Sequence, residues 1–465
     1  VSTPADVLNE IVDRNADQLV ASLRECLRIP SVEGPAAPNA PYGTECRKAL
    51  DYTLHLCEAL GFTTADFGGH AGHAEFGEGQ EMVAALGHLD VVPEGDHAKW
   101  TYGPYSAELV DGVIYARGSS DDKGPTYAAL FGALAVKQSG LPLKRRIRVI
   151  FGCDEESGFG CVHHYFEVAG QERPVYGFTP DSSFPLCYAE KGICDIVLER
   201  ITEQTGPVFV ASVEGGLRSN MVPELCTARL SGPDDALAGI KARADKLWDG
   251  NVTALWDGAY LVLKAVGLNA HGSTPYLGDN AVARMARTLM DLGLGSWTEE
   301  LLKSADTAGS YIGIAGRDDV AGPLTSNLGL ISFDGRTLRT TYNIRYPVTW
   351  KYDDLMAMCR RVVEPLGWRV AESSNKDPLF VPLDSEPSRT LLAVYQEVTG
   401  DLESMPYTMG GGTYARATPH VVAYGMEFPG DIQGPAHEPN ECMPTASLIR
   451  ATKVYAQALY RLANL

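Results

Sequence analysis

The sequence predicts an α/β fold with a mixed, mainly parallel sheet between helices, interrupted by an inserted α+β segment with antiparallel sheet. Two observations predict it. Short apolar runs, each stopping at an acidic or histidine-bearing loop, recur through residues 1–190. From about Gly192 to Asp384 the pattern changes to apolar and polar residues in alternation, the mark of antiparallel strands with one wet face.

The elements follow in order. Val7, Leu8, Ile11, Val12, Leu19, Leu23 and Leu27 recur at helical spacing over Val7 to Arg28, and Pro30 closes the segment. The Pro- and Ala-rich stretch from Gly34 to Tyr42 reads as a loop. A second helix spans Arg47 to Leu60 and ends at Gly61. Met82 to Leu86 reads as a buried strand that delivers His88 and Asp90 at its end, and Thr126 to Lys137 as a helix. Ile147 to Phe151 is another buried strand, followed by Asp154, Glu155 and Glu156; Val175 to Thr179 is a third, followed by Asp181. The repeating order of strand, loop and helix puts these loops at the ends of parallel strands. Alternating strands then cover Asp195 to Glu199, Tyr260 to Val266 and Leu338 to Tyr346, with a helix from Asn280 to Leu292. Helical pattern returns from Ser385 onward, together with His437. The predicted division is 1–190, 191–384 and 385–465, the middle segment inserted between two parts of one domain.

Composition narrows the class. A formal net charge of -20 argues against nucleic acid and anionic membrane as partners. Ser2-Thr3-Pro4-Ala5-Asp6 opens no basic segment followed by an apolar run, and no stretch nears the ~18 apolar residues of a spanning helix. Ten cysteines stand singly without a CxxC pair, which predicts buried reduced thiols. Together these predict a cytoplasmic protein.

Five short motifs carry the chemistry: Gly87-His88-Leu89-Asp90, the run from Arg117 to Gly124, Cys153 to Gly158, Thr179-Pro180-Asp181, and Gly434 to Glu438. They supply two imidazoles and several carboxylates, the ligand set of a paired-metal hydrolytic site. His88 and Asp90 lie two apart on an extended segment, so both side chains can face one way, one as ligand and one holding the other ring nitrogen. Asp121-Asp122 can place one carboxylate between two cations; its alternative is an Asx turn or helix cap before Pro125. Of Glu155 and Glu156, one can ligate while the other serves as general base; the alternative is a solvated acidic turn. Asp181 and His437 complete a count of three ligands per metal with open positions left. His163 and His164 read as surface or packing residues.

In this order GHLDVVP, ARGSSDDKGP, DEESG, TPDSSFP and GPAHEPNE resemble the aminoacylase/carboxypeptidase/dipeptidase family of co-catalytic zinc peptidases, and its dipeptidases in particular. The resemblance runs from about Leu19 to the C-terminus. It implies a zinc-peptidase-like catalytic domain with an inserted lid, a small peptide as partner, and two divalent metal ions, zinc by precedent with manganese or cobalt as alternatives. It implies His88, Asp121 and Asp181 on one metal, Asp121, Glu156 and His437 on the other, and a cis Asp121-Asp122 peptide. Glu155 matches the general base and Asp90 the carboxylate behind His88. His271, in Asn269-Ala270-His271-Gly272, matches a lid histidine that stabilises an oxyanion. Asn220 and Arg345 match positions that hold a substrate carboxylate. Gly411, Gly412 and Thr413 resemble a glycine loop whose amides contact that carboxylate, with a tight turn at a helix start as the equal alternative. His97 lies in a variable segment and is not expected to ligate. The implied reaction is dipeptide hydrolysis; N-acyl-amino-acid deacylation or carboxypeptidase action, and a binding protein without catalysis, are the alternatives. By the family pattern, the resemblance implies that an insertion of this length favours a monomer over a homodimer.

Overall fold

A computed structural model of the chain describes residues 2–246, 250–431 and 434–465. The chain forms two compact units, one of 1–188, 380–407 and 412–465, the other of 189–379 and 408–411.

The first unit is a sheet between helices. Its opening helix, Pro4–Leu27, starts in a capping box in which Thr3 and Asp6 exchange side-chain and backbone bonds. The helix Lys123–Ser139 is apolar on nearly every side and packs against both Pro4–Leu27 and the last helix, Thr445–Asn464. Gly132 permits that approach, since a Cβ there would sit 2.9 Å from the backbone nitrogen of Ala456. The strands run in the order Thr63–Asp66, Ala71–Phe76, Arg146–Gly152, Met82–His88, Tyr176–Thr179 and Val421–Ala423. The first two join antiparallel and the last four are mutually parallel. Met82–His88 is buried throughout, as a central parallel strand covered on both faces must be.

The strand–loop–helix rhythm holds less far than predicted. After Arg146–Gly152 come only the four-residue helix Gly160–His163 and one wide turn, His164–Val168. After Tyr176–Thr179 there is no helix; the short strands Ser182–Ser183 and Cys187–Glu190 follow. Pro180 and Pro185 bracket that segment, and proline disfavours helix both at its own position and at the one before.

The second unit is an eight-stranded antiparallel sheet in the order Val252–Asp257, Tyr260–Val266, Leu225–Ser231, Phe209–Gly215, Thr325–Phe333, Thr337–Tyr346, Gly192–Ile201 and Arg369–Lys376. Val213, Leu230, Leu263 and Tyr342 pack with Met285 of the helix Ala281–Asp291 into its core. Asn280 caps that helix, its side chain accepting from the N–H of Val282. All ten cysteines are free and buried. Among the described residues no helix is long and apolar enough to cross a membrane.

His73, inside the strand Ala71–Phe76, is buried with Nδ1 2.6 Å from Tyr165 Oη. Burial, and then the nearby Arg148 charge, pushes its imidazole down to about 4. The unfolded chain therefore binds a proton the folded one refuses, and stability is lost as pH falls through ~6.5 toward about 4. The expected loss from this group between pH 7 and pH 5 is about 2 kcal/mol. Guanidinium unfolding of the wild type and His73→Gln at both pH values checks it, since the variant should lack that increment.

Candidate metal centre

His88 closes its strand opposite Gly152, with the ring 1% exposed. Its Nδ1 lies 2.9 Å from the backbone oxygen of Asp90 and 3.4 Å from Asp90 Oδ1. The carbonyl can only accept, so the proton belongs on Nδ1 and Nε2 is left as a donor of electrons. Nε2 faces Asp121 Oδ1 at 3.1 Å and Asp181 Oδ2 at 4.0 Å. Asp90 does more than stand behind His88: its Oδ2 accepts from the N–H of Glu155 at 2.9 Å and of Glu156 at 3.1 Å. One buried carboxylate thus registers the His88 strand against the Glu155–Glu156 turn.

The two aspartates at 121 and 122 divide their duties across a cis peptide. Asp122 turns inward and accepts from the His88 N–H and from Thr126 Oγ1. Asp121 turns to the cluster, with Oδ1 toward His88 and Oδ2 3.0 Å from His437 Nε2. His437 Nε2 also lies 3.1 Å from Glu156 Oε1. Donor atoms of His88, Asp121 and Glu156, and those of His88, Glu155 and Asp181, each gather within 4.8 Å of one another.

Electrostatics follow from crowding. Burial, then the charges of Asp121 and Asp122, raise the Asp181 carboxyl well above its ordinary range. Burial and the Asp181 charge do the same to Glu155. Burial pushes against ionisation of Asp121 too, but the imidazoles of His437 and His88 beside it hold its carboxyl well below the ordinary range. Bonds to Asp121 and Glu156 raise His437 to about 10. Four carboxylates and two imidazoles packed this closely are a fitting donor set for divalent cations: hard oxygens, borderline nitrogens, and few competing positive charges.

The sequence profile of peptidase family M20/M25/M40 matches residues 84–461. The chain belongs to that family. Membership makes it a hydrolase of peptide bonds and implies divalent-metal binding. The protein named "Putative dipeptidase YtjP" of Bacillus subtilis is 37% identical, over 97% of this chain and 99% of its own length. The fold is similar to that of human carnosine dipeptidase 1, with a TM-score of 0.59 at 16% identity and 100% of each chain covered. A family M20 metallo-carboxypeptidase from Sulfolobus solfataricus has the same TM-score at 16% identity, covering 97% of this chain and 100% of its own.

In this M20 peptidase the remaining predicted residues fall as follows. His271 is exposed, its Nδ1 2.7 Å from Ser273 Oγ, and the N–H of Gly272 donates to the backbone oxygen of Asn220 at 2.7 Å. Arg345 is 4% exposed; its Nε donates to Asn343 Oδ1 at 2.9 Å and its Nη1 to the carbonyl of Gly410 at 2.6 Å. Asn343 is fixed in turn by Asp195. Gly411 belongs to the second unit and Gly412 and Thr413 to the first. Thr413 Oγ1 accepts from the Ala415 N–H and so caps the short helix Tyr414–Ala417. His97 is exposed and pairs with Glu94, while His164 stacks on His70 with ring centroids 3.8 Å apart.

Sequence reasoning missed three supporting residues. Tyr414 is buried with its ring 6.1 Å from that of His88, and its Oη accepts from the Asp154 N–H. Gly152 hints at it, because a Cβ there would lie 2.3 Å from Tyr414 Oη. Lys123 is buried, its ammonium donating to the carbonyls of Cys26 in the last turn of the first helix and Ile29 just past it. Glu441 is fully buried against Arg117. A buried lysine or glutamate carries no local sequence signal beyond its place in a motif.

Proposed function

We propose that this chain is a dipeptidase with two divalent ions, one held by His88, Asp121 and Asp181 and the other by Asp121, Glu156 and His437. The observation that carries the reading is the placement of Asp121, one carboxylate oxygen toward each imidazole, at 3.1 Å and 3.0 Å. Bound divalent ions supply Lewis acidity to the scissile carbonyl and lower the pKa of water. Zinc is favoured on family precedent, with manganese or cobalt accepted by the same donors.

The chain's own groups do the rest. Glu155 takes the proton of the attacking water and returns it to the leaving amine. Asp90 holds the Glu155 and Glu156 amides and keeps the proton of His88 on Nδ1, away from the cluster. His271 of the second unit stabilises the oxyanion, and Ser273 orients its ring. Arg345, preset by Asn343, takes the substrate's C-terminal carboxylate together with Asn220 and the amides of Gly411, Gly412 and Thr413. The two units act as catalytic domain and lid. The ten free buried thiols favour a cytoplasmic setting. A monomer is expected by sedimentation; a stable dimer would replace that part of the reading.

The test is a substrate panel on protein reloaded with Zn²⁺, Mn²⁺ or Co²⁺. Free dipeptides should be hydrolysed in preference to N-acetylated dipeptides and longer peptides. Turnover of acylated substrates alone would replace the dipeptidase with a deacylase.

A further inference from the structure

Glu441 ties the last motif to the second one. Its Oε1 accepts from the N–H of Ser120 at 2.9 Å, the N–H of Asp121 at 3.1 Å and Ser120 Oγ at 3.1 Å. Its Oε2 accepts from Arg117 Nη1 at 2.7 Å. Arg117 and Glu441 are 1% and 0% exposed, so the pair is shielded from water and salt. Arg117 also donates to the backbone oxygen of Glu438, the residue after His437, and its guanidinium lies 5.3 Å from the Trp100 ring centroid. The N–H of Ala116 donates to the backbone oxygen of Glu441. The segment carrying His437 is thus fastened at Glu438 and Glu441 to the loop carrying Asp121.

This fastening is asymmetric. His88 and Asp181 sit on the central strands and the loops directly after them, and the sheet ladder fixes them. Among the described residues His437 has no such ladder around it; the nearest pairing, Cys442–Pro444 on Val113–Tyr115, begins only after Glu441. We propose that Glu441, with Arg117, is the positioning residue that registers His437 against Asp121, and so selectively sets the affinity of the metal position formed by Asp121, Glu156 and His437. The assignment of that position rests on the function proposed above.

The experiment measures metal by equilibrium titration against a competing chelator, on the full chain, for wild type, Glu441→Gln and Ser120→Ala. Glutamine keeps the shape and an acceptor for the two amides but removes the charge that answers Arg117. The expected result is that Glu441→Gln retains one equivalent at wild-type affinity while the second weakens about 10–100-fold, the usual cost of losing an outer partner of a ligand. Ser120→Ala, which loses one of four contacts and is exposed to little folding risk, should weaken the same equivalent by a few-fold. Equal affinity of both equivalents in both variants would overturn the inference. So would equal weakening of the two, with a matching fall in the metal-free melting temperature, because that marks general support of the fold. A wild type that binds a single equivalent would instead defeat the two-ion reading, independently of how the variants compare with it.

Discussion

Glu155→Ala should lower kcat by about 10²–10⁴-fold, the range that a positioned general base contributes, with KM for dipeptides little changed. The decisive accompaniment is metal content. Glu155 can be read in two ways, because its carboxylate lies within the 4.8 Å grouping of His88 and Asp181 as well as at the end of the turn held by Asp90. A base should leave metal stoichiometry at the wild-type value when removed, and a ligand should take an ion with it. Elemental analysis of the dialysed variant beside its kinetics separates the two. Glu155→Gln should be as slow as alanine, since an amide fills the space but cannot take a proton.

Asp121→Ala has the broader consequence. It removes the carboxylate whose two oxygens lie 3.1 Å from His88 and 3.0 Å from His437, so both ions should weaken by more than about 100-fold. Activity at micromolar metal should fall below detection. Asp181→Ala and His437→Ala, each touching one position, should spare the other. A second readout comes from unfolding: an ion at 100 times its Kd stabilises the native state by about 2.7 kcal/mol. Wild type should gain this increment on adding metal, and Asp121→Ala should not. If Asp121→Ala still bound two equivalents tightly, the shared-ligand arrangement would be wrong.

What the sequence could reveal depended on locality. Met82–His88 and Arg146–Gly152 were readable because a buried parallel strand is a plain apolar run, and the ligand-bearing loops begin where those runs stop. The antiparallel strands of the second unit were readable from alternation, as in Thr337–Tyr346. The strand Ser182–Ser183 after Asp181 was not, because two residues carry no period and its pairing with Met426–Glu427 is remote in sequence. The same distance hid the Arg117–Glu441 pair, 324 residues apart. At Asp90 the motif suggested a partner for His88, but its bonds to the Glu155 and Glu156 amides required knowing that two strand ends lie side by side. The role of Asp122 in holding Thr126 and the His88 amide was likewise beyond a one-dimensional reading.

The parallel alignment of the central strands has one more implication. His88 stands opposite Gly152, and Ala85 opposite Phe178, so the residues after three neighbouring strands emerge at a common edge. Adjacent strands lie ~4.8 Å apart, and a one-residue slip moves a chain by ~3.3 Å while turning each side chain to the opposite face. Any such slip would scatter the donors beyond the reach of a single ion. Metal uptake therefore works as a gauge of correct strand alignment: a misassembled chain cannot load, and the energy of loading is available only to molecules that have already threaded the sheet correctly.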